Sequence, residues 1–231
     1  MEQSGTSPLL LGTVQDLASG VVSALRGGDH ARAAAFTEVD GGAQSLLVAA
    51  VRVLGADLLL PNVLSTTPPD DTDLTLFTRA VEAYPPRADA APAIVWSHWA
   101  MHRTLRRLDA PFPGRPAEEP DASWLFEADW RLLTHQLAVL AALALPEEDS
   151  PVVRVARSRT LDVARGFVRA VRRRDWQQAA GAGRWLTLLP GVPETLGLAA
   201  GLDFVQLMGG DDPRVALQVE AARLMRAGAL V

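Results

Sequence analysis

The chain has 231 residues, 48% of them hydrophobic, and a formal net charge of −5. All 22 basic residues are arginine and cysteine is absent. Without lysine there is no Schiff-base nucleophile and no phosphate-loop lysine, and without cysteine there is no disulfide, thiol nucleophile or cysteine-ligated metal. We therefore predict no cofactor, and the acidic surplus disfavours general coating of nucleic acid.

The apolar residues are mainly alanine, leucine and valine, with one tyrosine and six phenylalanines. This mixture favours helices over strands. We predict a single all-α domain over 1–231, with about ten helices in an antiparallel array. The leader, 1–9, lacks a basic region, and the longest apolar run, Leu137 to Leu145, is about half of a membrane-spanning helix. We therefore expect a cytoplasmic protein without a membrane segment.

The first half of the chain, 10–84, is predicted to form four helices. Gly27 and Gly28 end the first helix, Asp29 caps the second, and the acidic run from Asp70 to Asp73 opens the fourth. Residues 61–69 are predicted to be a loop. The four helices are expected over 10–26, 29–37, 43–59 and 70–84.

The middle of the chain, 91–145, is predicted to be a central pair of helices. The first covers 91–108 and the second 123–145, with a proline-rich surface connector over 110–120. The second is apolar on all sides from Leu137 onward, which is typical of a buried helix. We expect it to occupy the middle of the core.

The second half, 151–229, is again predicted to be helical. Asp175 caps its second helix, and Gly209 with Gly210 ends its third. The predicted helices cover 151–174, 176–189, 192–208 and 213–230.

The two halves resemble each other in sequence. Residues 21–35 align with 167–181 without a gap, so that Asp29 meets Asp175 and Ala34 meets Ala180. A duplication would explain this match. Equally, alanine-rich helical hairpins share the same caps and small residues, and the sequence leaves both explanations open.

Two histidines, His98 and His102, lie four residues apart, so both imidazoles project from one face of a helix. This spacing is suited to a metal, with His135, Glu127 or Asp129 as a third ligand. However, His98 continues an apolar stripe that includes Met101 and Leu105. We therefore favour a hydrogen-bonded histidine at the edge of the core, and keep a metal site at His98, His102 and His135 as the alternative.

Two tryptophans accompany these histidines. Trp96 and Trp99 are three residues apart, and Arg103 follows Trp99 by one turn. Tryptophan at helical spacing is usually core, but an exposed tryptophan beside an arginine is a typical interface anchor. We expect one of the two to face outward, with Trp99 and Arg103 as partner-binding residues.

A basic stripe follows the predicted helix 151–174. At 100° per residue, five arginines fall on one face, opposite Val163, Phe167 and Ala170. From 151 to 176 there are eight arginines against two aspartates, whereas 1–80 hold nine acids against four arginines. A solvated face explains such a stripe, and so does a binding surface. The five residues are Arg154, Arg157, Arg165, Arg169 and Arg172.

These features favour a non-enzymatic helical interaction protein that binds a protein partner, or itself as a homodimer, through the basic stripe. The alternative is a helical-bundle enzyme that binds a metal or small ligand through His98 and His102. Binding of nucleic acid by the stripe is a third and less favoured hypothesis. No catalytic residue can be named from the sequence.

Overall fold

The computed structural model describes residues 3–27, 41–110 and 117–228. Within these ranges helices are the only regular secondary structure, which confirms the all-α prediction. The chain divides into two compact units, an N-terminal unit, Met1–Glu119, and a C-terminal unit, Pro120–Val231. Their boundary falls in the predicted proline-rich connector, and the predicted central pair of helices is divided between them. The predicted single domain over 1–231 stays a prediction.

The N-terminal unit is built on α2. Both α1 and α4 pack against α2, and α5 packs against a buried 3-10 turn that follows it. Leu58, Phe77 and Trp96 are fully buried in this unit. Its described helices are α1 (Gln3–Leu25), α2 (Gly41–Leu54), the 3-10 turn (Gly55–Leu59), α3 (Leu60–Ser65), α4 (Asp71–Ala83) and α5 (Pro92–Arg107).

Several predicted boundaries in this unit need correction. The predicted helix 43–59 ends as an α-helix before Gly55, whose φ of +66° lies in the left-handed region that favours glycine. Part of the predicted loop is helical, because α3 runs to Ser65. The predicted helix 29–37, and with it half of the repeat alignment, lies outside the described residues, so the repeat stays a prediction. The Asp70 cap is confirmed: its carboxylate accepts a hydrogen bond from the Asp73 amide.

Two helical stretches of the N-terminal unit are long and apolar enough to cross a membrane by length and composition alone. They are Pro8–Leu25, with a mean hydropathy of 1.3, and Gln44–Ser65, with 1.8. Core helices of soluble proteins meet the same criterion, and 67% of the second stretch is buried. The expected cytoplasmic location therefore stays a prediction.

The C-terminal unit is organised around α10. This helix packs against α7, α9, α11 and α12. Its helices are α6 (Ser123–Phe126), α7 (Trp130–Val139), α8 (Pro151–Ser158), α9 (Thr160–Arg173), α10 (Trp176–Leu186), α11 (Leu198–Gly209) and α12 (Pro213–Gly228), with 3-10 turns at Ala141–Leu143 and Glu194–Leu196.

Small residues allow α10 to contact four helices at once. All five residues of the run Ala179 to Gly183 are buried. At Gly181 the fit is so close that an added Cβ would lie 2.8 Å from the carbonyl oxygen of Ala138 in α7. We predicted that 123–145 occupies the middle of the core, but in the C-terminal unit α10 occupies that position.

The predicted long helix 123–145 is wrong. It is divided into α6, α7 and a 3-10 turn, and Asp129 begins α7 by accepting hydrogen bonds from the amides of Arg131 and Leu132. The apolar residues after Leu137 are mostly buried, as expected, but Ala141–Leu143 form a 3-10 turn.

The predicted helix 151–174 is also interrupted. Arg159, with φ −126° and ψ 33°, separates α8 from α9. Its guanidinium donates to the carbonyl oxygen of Ala128 at 2.6 Å and to the Asp162 carboxylate at 2.7 Å. Because these partners hold Arg159 out of the helical path, the arginines of the predicted stripe lie on two helices.

The link between α9 and α10 agrees with the sequence prediction. Asp175 caps α10 by accepting from the Gln178 amide at 3.2 Å. Arg174 takes the left-handed conformation, with φ 59°, and the Asp175 amide donates to the Ala170 carbonyl oxygen. This closing geometry ends α9 and reverses the chain in two residues, so α9 and α10 form a hairpin.

Candidate functional site

His98 is a core histidine with a defined hydrogen bond. It is 8% exposed, and its Nε2 lies 3.1 Å from the carbonyl oxygen of Val81. Because a carbonyl oxygen can only accept, the neutral ring donates from Nε2. The expected hydrogen-bonded histidine at the edge of the core is confirmed.

His102 lies edge-on to His98, with the ring centroids 4.8 Å apart. Burial lowers the pKa of His98; the Val81 hydrogen bond opposes this, and the charge of Arg52 adds to it. Burial also lowers the pKa of His102, and the neighbouring His98 lowers it further. Both rings are therefore neutral at neutral pH.

Among the residues that the structure describes, no third ligand accompanies this pair of histidines. His135 belongs to the C-terminal unit, where it is exposed. No group of three or more His, Asp or Glu side chains is placed to hold a metal anywhere in the described ranges. In addition, the Nε2 of His98 is committed to the Val81 carbonyl. The metal hypothesis for His98, His102 and His135 gains no support and stays a prediction.

The expected outward tryptophan is wrong. Trp96 is fully buried and Trp99 is 7% exposed. Their rings pack edge to face, with centroids 5.1 Å apart. Both indoles are therefore part of the apolar core, and Trp99 is not an exposed anchor for a partner. Arg103, its predicted companion, is half-buried.

The break at Arg159 divides the predicted stripe into two groups with different surroundings. On α8, Arg154 and Arg157 both lie beside Asp149, at 3.5 Å and 3.6 Å from its carboxylate oxygens. Arg157 also donates to the carbonyl oxygen of Glu148. This group is partly neutralised by its own acid and does not line the groove formed by the second group, so we do not count it as part of the candidate site.

The second group lines an open groove in the C-terminal unit. This arginine groove has a volume of about 820 Å³. Its basic residues are all on α9, its floor is apolar, and its far wall comes from residues before α11. The lining consists of Trp130, Leu161, Ala164, Arg165, Val168, Arg169, Arg172, Arg173, Pro193, Thr195 and Leu196.

The groove carries a net positive charge that a neighbouring aspartate compensates only in part. Four of its lining residues are arginines and none is acidic. Arg165 lies 3.4 Å from Asp162, an aspartate that also holds Arg159. Within the described part of the chain, Arg172 and Arg173 form no ion pair, and both are exposed. An anionic group entering the groove would therefore find available guanidinium donors.

Trp130 lies beside the arginines at the edge of the groove. The guanidinium carbon of Arg131 lies 4.7 Å from the centre of its ring, and that of Arg169 lies 5.9 Å away. A cation at this distance is attracted by the electron-rich ring face. The indole thus attracts Arg169 and gives the groove an aromatic edge.

Local contacts fix Trp130 beside α9. The Asp129 cap places Trp130 in the first turn of α7. One turn later, the Thr134 hydroxyl contacts the carbonyl oxygens of both Trp130 and Asp162, at 2.7 Å and 3.3 Å. At the same crossing an added Cβ on Gly166 would overlap the side chain of Thr134. The groove therefore depends on a close crossing of α7 and α9.

A second glycine positions the far wall. An added Cβ on Gly201 in α11 would lie 3.0 Å from the ring of Phe167, which faces inward from α9. The chain leading into α11 turns at Gly197, whose φ is +58°. Together these glycines bring Pro193 and Leu196 close to α9.

Sequence reasoning identified only part of this site. It named Arg165, Arg169 and Arg172 from their helical spacing, but missed Arg173 and Trp130. It also missed the wall at 193–196, for which no local signal exists. The sequence signal that could have identified Trp130 is its position directly after the capping residue Asp129 and directly before Arg131.

Comparisons of this chain with protein-family models, with curated proteins and with solved structures find no match.

Proposed function

We propose that this chain is a non-enzymatic interaction protein whose C-terminal unit binds an acidic surface of a protein partner in the arginine groove. The observation that carries the proposal is the combination of four arginines, no acidic residue and an apolar floor in one groove. Charged residues at the rim of an interface steer and orient the partner, while an apolar floor supplies most of the affinity.

An exposed basic face also fits nucleic acid, but the groove favours a protein. The affinity of unspecific nucleic-acid binding comes from the number of phosphates neutralised, and the groove offers only four arginines. Base stacking needs an available aromatic face, and the ring of Trp130 is already contacted by two guanidinium groups. Leu161, 59% exposed at the groove, is suited to an apolar side chain of a protein.

The test is a capture experiment with matched charge reversals. The native chain, a groove variant (R169E/R172E) and a control variant (R154E/R157E) are immobilised, and proteins captured from the source cells are identified. Each captured protein is then purified and its affinity measured by calorimetry. We expect at least one partner that binds the native chain and the control but loses affinity for the groove variant.

Self-association is measured in parallel by sedimentation. A dimer that dissociates in the groove variant would identify a second copy of this chain as the partner. The proposal fails if neither a partner nor self-association depends on the groove. Stoichiometric metal in the purified protein, lost on changing His98 and His102, would instead favour the enzyme alternative.

A further inference from the structure

We infer that the occupant of the arginine groove is an amphipathic α-helix of the partner, with an apolar row beside an acidic row. This inference rests on the proposed function and specifies its ligand. It is drawn from the arrangement of charge and apolar surface along α9.

The groove-facing residues of α9 form two parallel rows. The apolar row is Leu161, Ala164 and Val168, and the basic row is Arg165, Arg169 and Arg172, with Arg173 beside the last. Both rows follow the three- and four-residue spacing of one helix face. At a rise of 1.5 Å per residue, seven residues span about 11 Å, or two turns.

A second helix is the ligand whose side chains repeat at the same intervals. Carboxylates three and four residues apart on a partner helix would meet the basic row, and the adjacent apolar positions would meet the floor. The two patterns stay in register along the whole row when the partner is helical. An extended chain presents side chains on one face about every 6.6 Å, against about 5–6 Å on a helix, so two steps along the row would leave it about 3 Å out of register.

The surroundings of the groove argue against two other modes of binding, the addition of a strand and the enclosure of a small molecule. The described residues contain no strand, so no sheet edge is available for an added strand. The groove is open to solvent, because the Arg165 side chain is 68% exposed and Leu161 is 59% exposed. A pocket for a small molecule typically encloses most of its ligand. An open groove of this kind is better suited to an elongated helical segment.

The direct test uses designed, fluorescein-labelled helical peptides in an anisotropy titration. The matching peptide carries leucines at three- and four-residue intervals, with glutamates at the same intervals on the adjacent positions. A control peptide of identical composition places the glutamates on the opposite face. A fluorescein-labelled oligothymidine of 20 nucleotides serves as the nucleic-acid probe.

We expect the matching peptide to bind about tenfold more tightly than the control peptide, and to weaken as salt is raised. The variant R169E/R172E should lose about tenfold in affinity for it, because two attractive contacts become repulsive. The variant R154E/R157E should change the affinity by less than about twofold, because these arginines lie outside the groove.

Three results would overturn the inference: equal affinity for the two peptides, equal effects of the two double variants, or tighter groove-dependent binding of the oligothymidine. If the peptides fail while a groove-dependent partner is captured from cells, the proposed function stands and only the helical ligand is wrong. Circular dichroism of each variant confirms that a lost affinity does not reflect a lost fold.

Discussion

The substitution Gly181→Ala tests the packing on which the C-terminal unit depends. An added Cβ at this position would lie 2.8 Å from the carbonyl oxygen of Ala138 and 2.9 Å from its Cα. Both are backbone atoms, so no side-chain rotation can relieve the contact. Since ordinary contacts begin near 3.4 Å, α10 and α7 must separate by about 0.5 Å in a close-packed interior.

Two opposing effects set the magnitude. Replacing glycine by alanine inside a helix stabilises it by about 1 kcal/mol. Overpacking a core costs about 1–3 kcal/mol, and a contact with backbone belongs at the upper end. We therefore expect a net loss of about 2 kcal/mol in the free energy of unfolding, or a fall of roughly 1 M in the urea midpoint at a slope of about 2 kcal/mol/M.

The assay is urea unfolding followed by tryptophan fluorescence, because four of the six tryptophans lie in the C-terminal unit. Gly12→Ala is the matched control. Gly12 is inside α1, and an added Cβ there meets nothing within 4 Å, so this variant should gain up to about 1 kcal/mol. A Gly181→Ala protein as stable as the native chain would refute the close packing of α10 against α7.

Three further predictions concern other parts of the fold. Burial holds the pKa of His98 below its ordinary value of 6.5, so the folded chain takes up protons less readily than the unfolded chain and its stability should fall as pH drops below 6.5. His98→Gln should flatten this decline, measured as urea midpoints between about pH 7.5 and 5.5; an unchanged slope would contradict the assignment. Trp185 donates from Nε1 to the buried carbonyl oxygen of Leu137 at 2.6 Å. Trp185→Phe should therefore lower the free energy of unfolding by about 2–4 kcal/mol, measured from unfolding curves followed by circular dichroism. The hydrogen bond of Trp124 is exposed, so Trp124→Phe should lower the free energy of unfolding by less than about 0.5 kcal/mol. Equal losses in the two variants would refute the conclusion that Trp185 is the more deeply buried tryptophan. Arg174 has a φ of 59°, so Arg174→Gly should raise the free energy of unfolding by about 0.5–1 kcal/mol, and a destabilised variant would argue against the left-handed conformation.

Features that depend on neighbouring residues were predicted well. The caps at Asp70 and Asp175 follow from a side chain that accepts hydrogen bonds from amides two or three residues ahead, and both are confirmed. The period of apolar residues located α4, α5 and α12 within a few residues. These signals lie within one or two turns of chain, so the sequence contains all the information they need.

Features set by distant contacts were not predictable in this way. The break at Arg159 has no proline or glycine to mark it, and it depends on carbonyl groups of Phe126 and Ala128 more than thirty residues earlier. The central place of α10 was hidden for a different reason. Alanine and glycine contribute little hydrophobicity, so a run of them does not resemble a core, although small size is what allows four helices to meet.

In the candidate site, too, the features set by neighbouring residues were predicted and those set by distant contacts were not. Helical spacing was sufficient to group Arg165, Arg169 and Arg172, since all three lie on α9. It also placed Arg154 and Arg157 in the same stripe, because the sequence shows no interruption between them and α9, whereas the structure has them on α8; their predicted role in partner binding stays a prediction. The aromatic edge at Trp130 and the wall at 193–196 come from other elements, and only the crossing of those elements with α9 makes them part of the groove.

The small residues of α10 have a consequence for how quickly the groove can engage a ligand. Alanine has no side-chain rotamers and glycine has no side chain, so the run Ala179 to Gly183 cannot absorb a shift of the helices packed on it by repacking. Under the proposed function, association with the groove should then need no prior rearrangement of these helices. Its rate should be limited by diffusion and steering, and differences in affinity between ligands should arise mainly in the rate of dissociation.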